Sequence, residues 1–318
     1  MKRFLFKRIA YALFIMWAVA TTVFLWLRLI PGGPVQAMLG IEATPEAIKA
    51  IRTEMGLNQP LYVQYIDWMV DLLHLNFGTS ITQSTPVTEL VAQAAPKTFS
   101  IALVGITTGL LLSIPTGIVS ATRKEEPADY VATIVAFLGL SLPAFYVGIL
   151  LALVFGVHFN LFPVFGYVPL SKGVVPWFKH ILLPGIAVGL PYAAIIMRMT
   201  RSSLLEVRNQ PYMKTARAKG VDSRVRLYKH ALQNALIPVV TVAGIQLALI
   251  LVGSVTVELV FGIQGIGRLL VDSILNRNYP VTQAVILLVA GIMVFMNLAV
   301  DLLYTVLDPR IGYEGESA

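Results

Sequence analysis

The chain alternates long apolar stretches with shorter polar ones. Uncharged apolar runs occupy residues 9–27, 99–121, 131–157, 181–197, 236–257 and 282–300. A helical membrane crossing needs about twenty such residues, and lipid leaves the backbone no hydrogen-bond partner outside the helix. The pattern therefore predicts an all-α integral membrane protein with six transmembrane helices.

Lysine and arginine are shared unevenly between the two sides of the predicted bundle. An even number of crossings places both termini on one side, together with residues 122–130 and 198–234, and this side carries 16 of the 24 cations. Cytoplasmic segments of membrane proteins are enriched in Lys and Arg. We therefore expect a multi-pass protein of the plasma (inner) membrane with both termini in the cytoplasm.

Composition supports membrane insertion and excludes several function classes. The chain has 57% hydrophobic and 13% charged residues and a mean hydropathy of +0.76, outside the range of soluble domains. The net charge is +7, but the basic residues are distributed according to the two sides of the membrane and are not gathered into a nucleic-acid-binding patch. The absence of cysteine excludes disulfides and thiolate sites. The first apolar run is a full crossing without a signal-peptidase site, so we interpret it as a retained helix.

A long polar region, residues 31–97, separates the first two crossings. The sequence Thr44-Pro45-Glu46 is a helix start and Gly56 a helix stop, and a second amphipathic stretch begins at Leu61. We predict a small external helical cap here; a loose polar loop is the alternative. The predicted organisation is thus 1–30 (cytoplasmic end and first crossing), 31–97 (external region) and 98–318 (core, with a basic loop at 199–236).

The basic loop between the fourth and fifth crossings is the most distinctive polar segment. Asn209 is predicted to cap a helix of about ten residues that begins at Pro211, and Gly220 to end it in a left-handed conformation. Small residues on this helix suit close approach to another protein, and cations surround them: Thr215, Ala216 and Ala218, then Lys214, Arg217 and Lys219. An ordinary solvated loop near anionic lipid is the alternative.

A second helix is predicted after Gly220. Asp222 or Ser223 can cap it, and apolar residues recur at spacings of three and four, at Val225, Tyr228, Leu232 and Leu236. His230 lies within this helix, where we assign it a supporting role. Pro238 falls just inside the next apolar run.

The glycine loop, residues 257–281, lies on the other side of the membrane. Gly262, Gly265 and Gly267 allow a tight turn before a short amphipathic helix that carries Arg268. Glu258 ends an apolar run, and an acid at such a depth is a functional candidate. A position at the lipid headgroup boundary is the alternative for Glu258, and the sequence favours it.

Glycine and proline also occur inside the apolar runs. The pairs Gly105/Gly109 and Gly185/Gly189 have the spacing of close helix contacts. Pro115 and Pro143 are expected to kink their helices. A flexible pore wall and simple bundle geometry both explain these prolines.

These motifs together resemble the peptide/nickel-type permease family of ABC transporters. The succession TARAKG and HALQNALIPV in the basic loop is similar to the family's EAA loop, and the resemblance extends through LRLIPGGP (27–34), GLNQPLYVQY (56–65), NFGTS (76–80), LSLPAFYVGILL (140–151) and LDPRIGY (307–313). It departs at Gly33, where the family usually has Asp.

The resemblance implies the permease of a type I ABC importer. Its partners would be a second, different permease, two ATPases that bind ATP and Mg, and an external substrate-binding protein. The basic loop would supply the ATPase-coupling residues Tyr212, Thr215, Ala216, Arg217, Ala218, Lys219, Gly220, His230 and Pro238, and the glycine loop the external gate residues Glu258, Gly262, Gly265, Gly267 and Arg268. Di- or oligopeptide is the first substrate expected, followed by nickel chelate, glutathione or oligosaccharide.

Catalytic and cofactor motifs are missing from the sequence. It has no GxxxxGK[ST], HExxH or GxSxG pattern, and its four histidines lack metal-ligand spacing. We therefore expect neither ATPase activity nor a cofactor in this chain. An ion-coupled carrier and an integral-membrane enzyme are the rival hypotheses. A carrier would need paired acids inside the membrane and an enzyme a set of catalytic residues, and the sequence shows neither.

Overall fold

Helices form nearly all of the described structure. The computed structural model describes residues 2–29 and 58–307, with positions 35, 44, 46, 49, 52 and 53 between them. Its helices are α1 (Lys2–Arg28), α2 (Leu61–Leu73), α3 (Val87–Thr122), α4 (Pro127–Ser141), α5 (Ala144–Leu151), α6 (Val174–Arg208), α7 (Pro211–Ala218), α8 (Leu232–Gly253), α9 (Val255–Val260), α10 (Ile266–Leu275) and α11 (Tyr279–Leu307). π-Helical segments, Ala152–His158 and Arg226–Ala231, continue α5 and precede α8.

Within these ranges, five helical stretches are long and apolar enough to cross a membrane, and the number is six when the bent pair Pro127–Ser141 and Ala144–His158 is counted as one crossing. The five are Phe6–Trp26, Val87–Thr122, Val174–Arg208, Ser223–Leu251 and Tyr279–Leu302. The prediction of an all-helical membrane fold is confirmed. The second crossing is longer than predicted and remains one helix through Pro115.

The prediction of a single helix over residues 131–157 is wrong. The run is broken between α4 and α5, whose axes differ by 103°. Pro143 has no N–H for a helical hydrogen bond, and its ring disfavours helical geometry at the residue before it. Leu142 is accordingly extended, with φ −91° and ψ 127°.

The parallel pair α3 and α6 forms the centre of the bundle. The glycine pairs predicted from spacing meet each other here: a Cβ on Gly105 would lie 3.2 Å from the carbonyl oxygen of Gly185, and a Cβ on Gly189 would overlap the carbonyl of Gly105. The main core packs beside this contact, around Ile101, Val188 and Phe261. Small residues therefore set the separation of the two longest core helices.

Helix α1 lies at the edge of the bundle and is fastened near both ends. At one end Arg8 Nη1 lies 2.6 Å from Asp301 Oδ2 of α11. At the other, Thr21 Oγ1 and Tyr65 Oη of α2 are 2.7 Å apart, and the Phe24 ring packs on Tyr65 and Trp68. The second amphipathic helix predicted within residues 31–97 is thus present as α2. Of the helix predicted to start at residue 44, only positions 44, 46, 49, 52 and 53 are described, and the last four of these are helical; the segment 30–34 and the tail 308–318 lie outside the described residues.

Candidate coupling surface and buried outer carboxylate

Helix α7 of the basic loop begins at Pro211 as predicted, but its N-terminal cap differs. Asn209 does not cap α7: helix α6 continues past its apolar run to Arg208, and the Asn209 amide closes the last turn of α6 by donating to Glu206 O at 3.1 Å. Gln210 then precedes α7, without a side-chain cap bond. The loop is therefore mostly helical and shorter than its polar sequence suggests.

One face of α7 is anchored in the protein. Met213 is buried in an apolar cluster with Ala121 of α3, Leu204 of α6, and Ala231 and Ala235 at the start of the fifth crossing. The helix thus rests on the ends of three membrane-spanning helices. We call this end of the bundle the basic end, and the other the opposite end.

Tyr212 ties α7 to the following segment. Its hydroxyl accepts a hydrogen bond from Asn234 Nδ2 at 2.9 Å and donates to His230 O at 3.3 Å, while Asn234 Nδ2 also donates to His230 O. The main-chain carbonyl of His230, rather than its ring, makes these contacts. The supporting role assigned to the His230 side chain stays a prediction.

The other face of α7 is open and basic. Thr215 and Ala218 are exposed and Ala216 is half-buried, and the surrounding cations are all exposed: Lys214, Arg217, Lys219, Arg224 and Lys229. Gly220 has φ +73° and ends the helix as predicted, with its amide donating to Arg217 O at 3.0 Å. The surface is a strip of small side chains bordered by positive charge.

The short helix Ser223–Val225, which leads into the π-helical segment, has one of the two predicted caps. Asp222 Oδ1 accepts a hydrogen bond from Arg224 N at 2.8 Å, so Asp222 caps the turn rather than Ser223. Pro238 is half-buried inside α8. Because Pro238 has no N–H, it releases the carbonyl of Asn234 from the helical pattern, close to the π-helical segment.

A buried ion pair lies at the basic end, and the sequence did not indicate it. Arg201 of α6 makes two 2.8 Å bonds to the Asp129 carboxylate of α4, which also accepts from Glu125 N at 3.0 Å and from Ser120 Oγ of α3. Arg208 Nη1 donates to Ala121 O at 2.7 Å beside it. The two arginines join the ends of α3, α4 and α6 beneath α7.

We predict that Asp129→Asn lowers the free energy of unfolding by about 2 kcal/mol, the loss typical of a charge-assisted hydrogen bond. The amide can satisfy only one of the two guanidinium contacts. Thermal unfolding in detergent measures the effect. Glu125→Gln is the control, since the Glu125–Lys124 pair is largely exposed and should contribute little. Equal melting temperatures for the two variants would contradict the prediction.

At the opposite end, Glu258 is fully buried in protein. Its Oε1 accepts hydrogen bonds from Thr98 Oγ1 of α3 at 2.6 Å and Ser254 Oγ at 3.0 Å, and its Oε2 accepts from Arg268 N at 2.9 Å. Thr98 Oγ1 in turn accepts from Ile266 N at 2.8 Å. The carboxyl group therefore joins α3, α9 and the first turn of α10.

The glycines of this loop fit around Glu258. A Cβ on Gly265 would lie 2.5 Å from the Glu258 Cδ atom, and one on Gly267 would lie 2.6 Å from Val255 Cγ2. Gly262 takes φ +63° at the turn. The Arg268 side chain points towards Asp272, 3.5 Å from its carboxylate. Gly265 and Gly267 thus permit the loop backbone to lie close to Glu258 and Val255, and Arg268 donates its main-chain amide to the Glu258 carboxyl group.

The structure gathers the candidate residues into two groups at opposite ends of the bundle. It also reveals anchors that the sequence analysis did not single out: Met213, Asn234, Asp129 with Arg201, and Thr98. Asn234 falls inside the EAA-like motif, so the motif could have indicated it. The Asp129–Arg201 pair spans 72 positions, and no local pattern connects its members.

A family model decides the assignment. The model described as "Binding-protein-dependent transport system inner membrane component" matches residues 113–313, and its N-terminal companion matches residues 1–102. The chain belongs to this family. It is a multi-pass inner-membrane permease of the ABC-transporter type, and the resemblance inferred from the EAA-like loop is confirmed.

Curated relatives match along almost the whole chain. A "Probable peptide ABC transporter permease protein" of Sinorhizobium fredii is 40% identical over 310 residues, covering 98% of this chain and 99% of the relative. A glutathione transport system permease of Salmonella choleraesuis is 38% identical, covering 99% and 100%. A dipeptide transport system permease of Alkalihalophilus pseudofirmus is 38% identical, covering 90% and 92%.

A solved structure shows the same fold. A chain from the crystal structure of an amino acid ABC transporter with histidines superposes with a TM-score of 0.50 at 16% identity, covering 70% of this chain and 94% of that chain. The architecture of the permease core is therefore shared despite the low identity.

Proposed function

We propose that this chain is a membrane subunit of an ATP-driven importer of di- or oligopeptides, and that α7 is its docking site for an ATPase subunit. The observation that carries the docking assignment is the two-sided construction of α7. Met213 anchors one face on three membrane-spanning helices, and the other face presents small side chains bordered by five exposed cations.

The partner cleft should be complementary to this surface. Small residues at Thr215 and Ala218 allow the α7 backbone to enter a groove, and opposite charges on the groove's rim would steer and orient the approach. Closure of an ATPase pair would push on α7, and the anchors at Met213 and Tyr212 would pass the displacement to α3, α6 and α8. A two-state membrane domain biased by a partner in this way is what coupling requires.

The proposed assembly contains a second, different permease, two ATPases and an external substrate-binding protein. ATP and Mg bind to the ATPases, and this chain holds no cofactor and hydrolyses no ATP. Both termini and the basic end face the cytoplasm, as the distribution of Lys and Arg indicates. The glycine loop then faces outward, where the binding protein would deliver its cargo.

The substrate class rests on the relatives. Those described above are named for peptide, dipeptide and glutathione transport, and glutathione is itself a small peptide. We therefore place small peptides first. Nickel chelates and oligosaccharides are the alternatives within the same machinery.

Purification of the tagged chain in mild detergent tests this proposal, with mass spectrometry of the intact assembly and of bound small molecules. We expect a second permease, P-loop ATPases and a peptide-loaded binding protein. After reconstitution into vesicles, uptake should require hydrolysable ATP and persist when ion gradients are collapsed. Uptake that follows an ion gradient without ATP would instead identify a secondary carrier.

A further inference from the structure

Two buried carboxyl groups contact helix α3 at well-separated positions. Thr98 Oγ1, in the first third of the helix, donates to Glu258 at 2.6 Å; Ser120 Oγ, close to its C-terminal end, donates to Asp129. A buried carboxyl group without partners is costly. Both are fully supplied with donors, so neither contact can be given up without leaving polar groups unpaired.

The contact between Thr98 and Glu258 also fixes the position of α10. Thr98 Oγ1 donates to Glu258 and accepts from Ile266 N, while the other carboxyl oxygen accepts from Arg268 N. Two main-chain amides of the first turn of α10 are therefore held through a single threonine–glutamate pair. Any displacement of α10 relative to α3 breaks at least one of these bonds.

Along its length α3 is locked to α6. The glycine faces of the two helices leave no room for a Cβ at Gly189, and a Cβ on Gly117 would lie 2.7 Å from Thr200 Cβ. Sliding α3 along α6 would bring larger side chains into these positions. Packed interfaces of this kind have discrete arrangements and do not deform continuously.

The basic end completes the connection. Arg208 of α6 binds the carbonyl of Ala121 of α3 at 2.7 Å, and Met213 packs against both helices. A continuous set of described contacts thus runs from α7, through the α3–α6 pair, to Thr98, Glu258 and α10.

We propose that Glu258 is the positioning residue that links α10 to α3, so that α10 moves with the α3–α6 pair and reports outer-loop contacts to α7. The proposal rests on the proposed function, and it adds the path by which a contact at the glycine loop would reach the ATPases. A binding protein that touches the glycine loop would act on the ATPases through Glu258 and Thr98. Glu258 itself touches no substrate in this mechanism.

Thr98→Val and Thr98→Ser form the matched test. Valine has the shape of threonine but leaves Ile266 N and Glu258 without the bridging hydroxyl, whereas serine retains it. In the complete reconstituted assembly, we expect Thr98→Val to reduce the stimulation of ATP hydrolysis by loaded binding protein roughly tenfold, within the range of measured allosteric couplings. Basal hydrolysis and the yield of assembled complex should stay unchanged, and Thr98→Ser should behave as the unmodified chain.

The outcomes separate the two proposals. If the unmodified assembly takes up substrate without ATP, the proposed function fails. If uptake is ATP-driven and Thr98→Val is stimulated like Thr98→Ser, only the role of Glu258 is overturned. A parallel loss of yield, basal hydrolysis and stimulation in Thr98→Val would reduce Thr98 and Glu258 to folding contacts and would also overturn the proposal.

A distance measurement tests the linkage without disturbing it. The chain has no native cysteine, so Glu89→Cys on α3 and Leu275→Cys on α10, both exposed, can carry a pair of spin labels. We expect the same distance distribution in the resting and the ATP-trapped assembly. A shift between the two states would show that α10 moves independently of α3.

Discussion

Ala216→Arg should abolish ATP-driven uptake while leaving the chain in the membrane. Ala216 lies half-buried on α7 between the exposed small residues Thr215 and Ala218. A long cationic side chain at this position would hold the α7 backbone away from the proposed groove. We expect a loss of roughly thirtyfold or more, which corresponds to the 2 kcal/mol of a central interface residue.

Uptake by reconstituted vesicles and recovery of the ATPases with the tagged chain measure this effect. Ala216→Ser is the matched control, because it keeps the side chain small and should support normal uptake. If Ala216→Arg transports normally with its ATPases still bound, α7 is not the docking helix.

Gly189→Ala is expected to cause the largest loss of stability among single-methyl changes in the α3–α6 interface. The added Cβ would lie 3.0 Å from the carbonyl carbon of Gly105 and closer still to its oxygen. Both are main-chain atoms and cannot rotate away, so the helices must separate. We expect a loss of about 3 kcal/mol, at the upper end of the range for overpacking.

Thermal unfolding in detergent, followed by the recovery of monodisperse protein, measures the change. Gly109→Ala is the control on the same interface, since its Cβ would lie 3.4 Å from the nearest atom, the Gly189 carbonyl oxygen. The control should remain close to the unmodified chain. Equal melting temperatures for the two variants would contradict the prediction, because they would show that α3 and α6 move apart to accommodate the added methyl group without loss of stability.

Much of the fold was predictable because membrane insertion depends on local composition. The apolar runs predicted five helices and the extent of the sixth, and the spacing of Gly185 and Gly189 predicted close packing. The left-handed Gly220 and the Asp222 cap also depend on neighbouring residues only. The family followed from motifs of the same local kind.

Other features depend on tertiary structure. The burial of Glu258 requires donors from Thr98, 160 positions earlier, and the Asp129 site requires Arg201. Pro143 indicated a kink, but its size depends on how α4 and α5 pack on their neighbours. Asn209 could either cap the start of α7 or close the end of α6, and it closes α6 because that helix extends to Arg208.

The bend between α4 and α5 has a consequence for biosynthesis. The insertion machinery meets residues 131–157 as one uncharged stretch, long enough to enter lipid as a single segment. Breaking that segment exposes main-chain groups that must be covered by protein. Val147 packs with Phe261, which follows it by more than a hundred residues. We therefore expect the bend to be completed only after the fifth crossing and α9 have been synthesised, which makes it a late step in the maturation of the nascent chain.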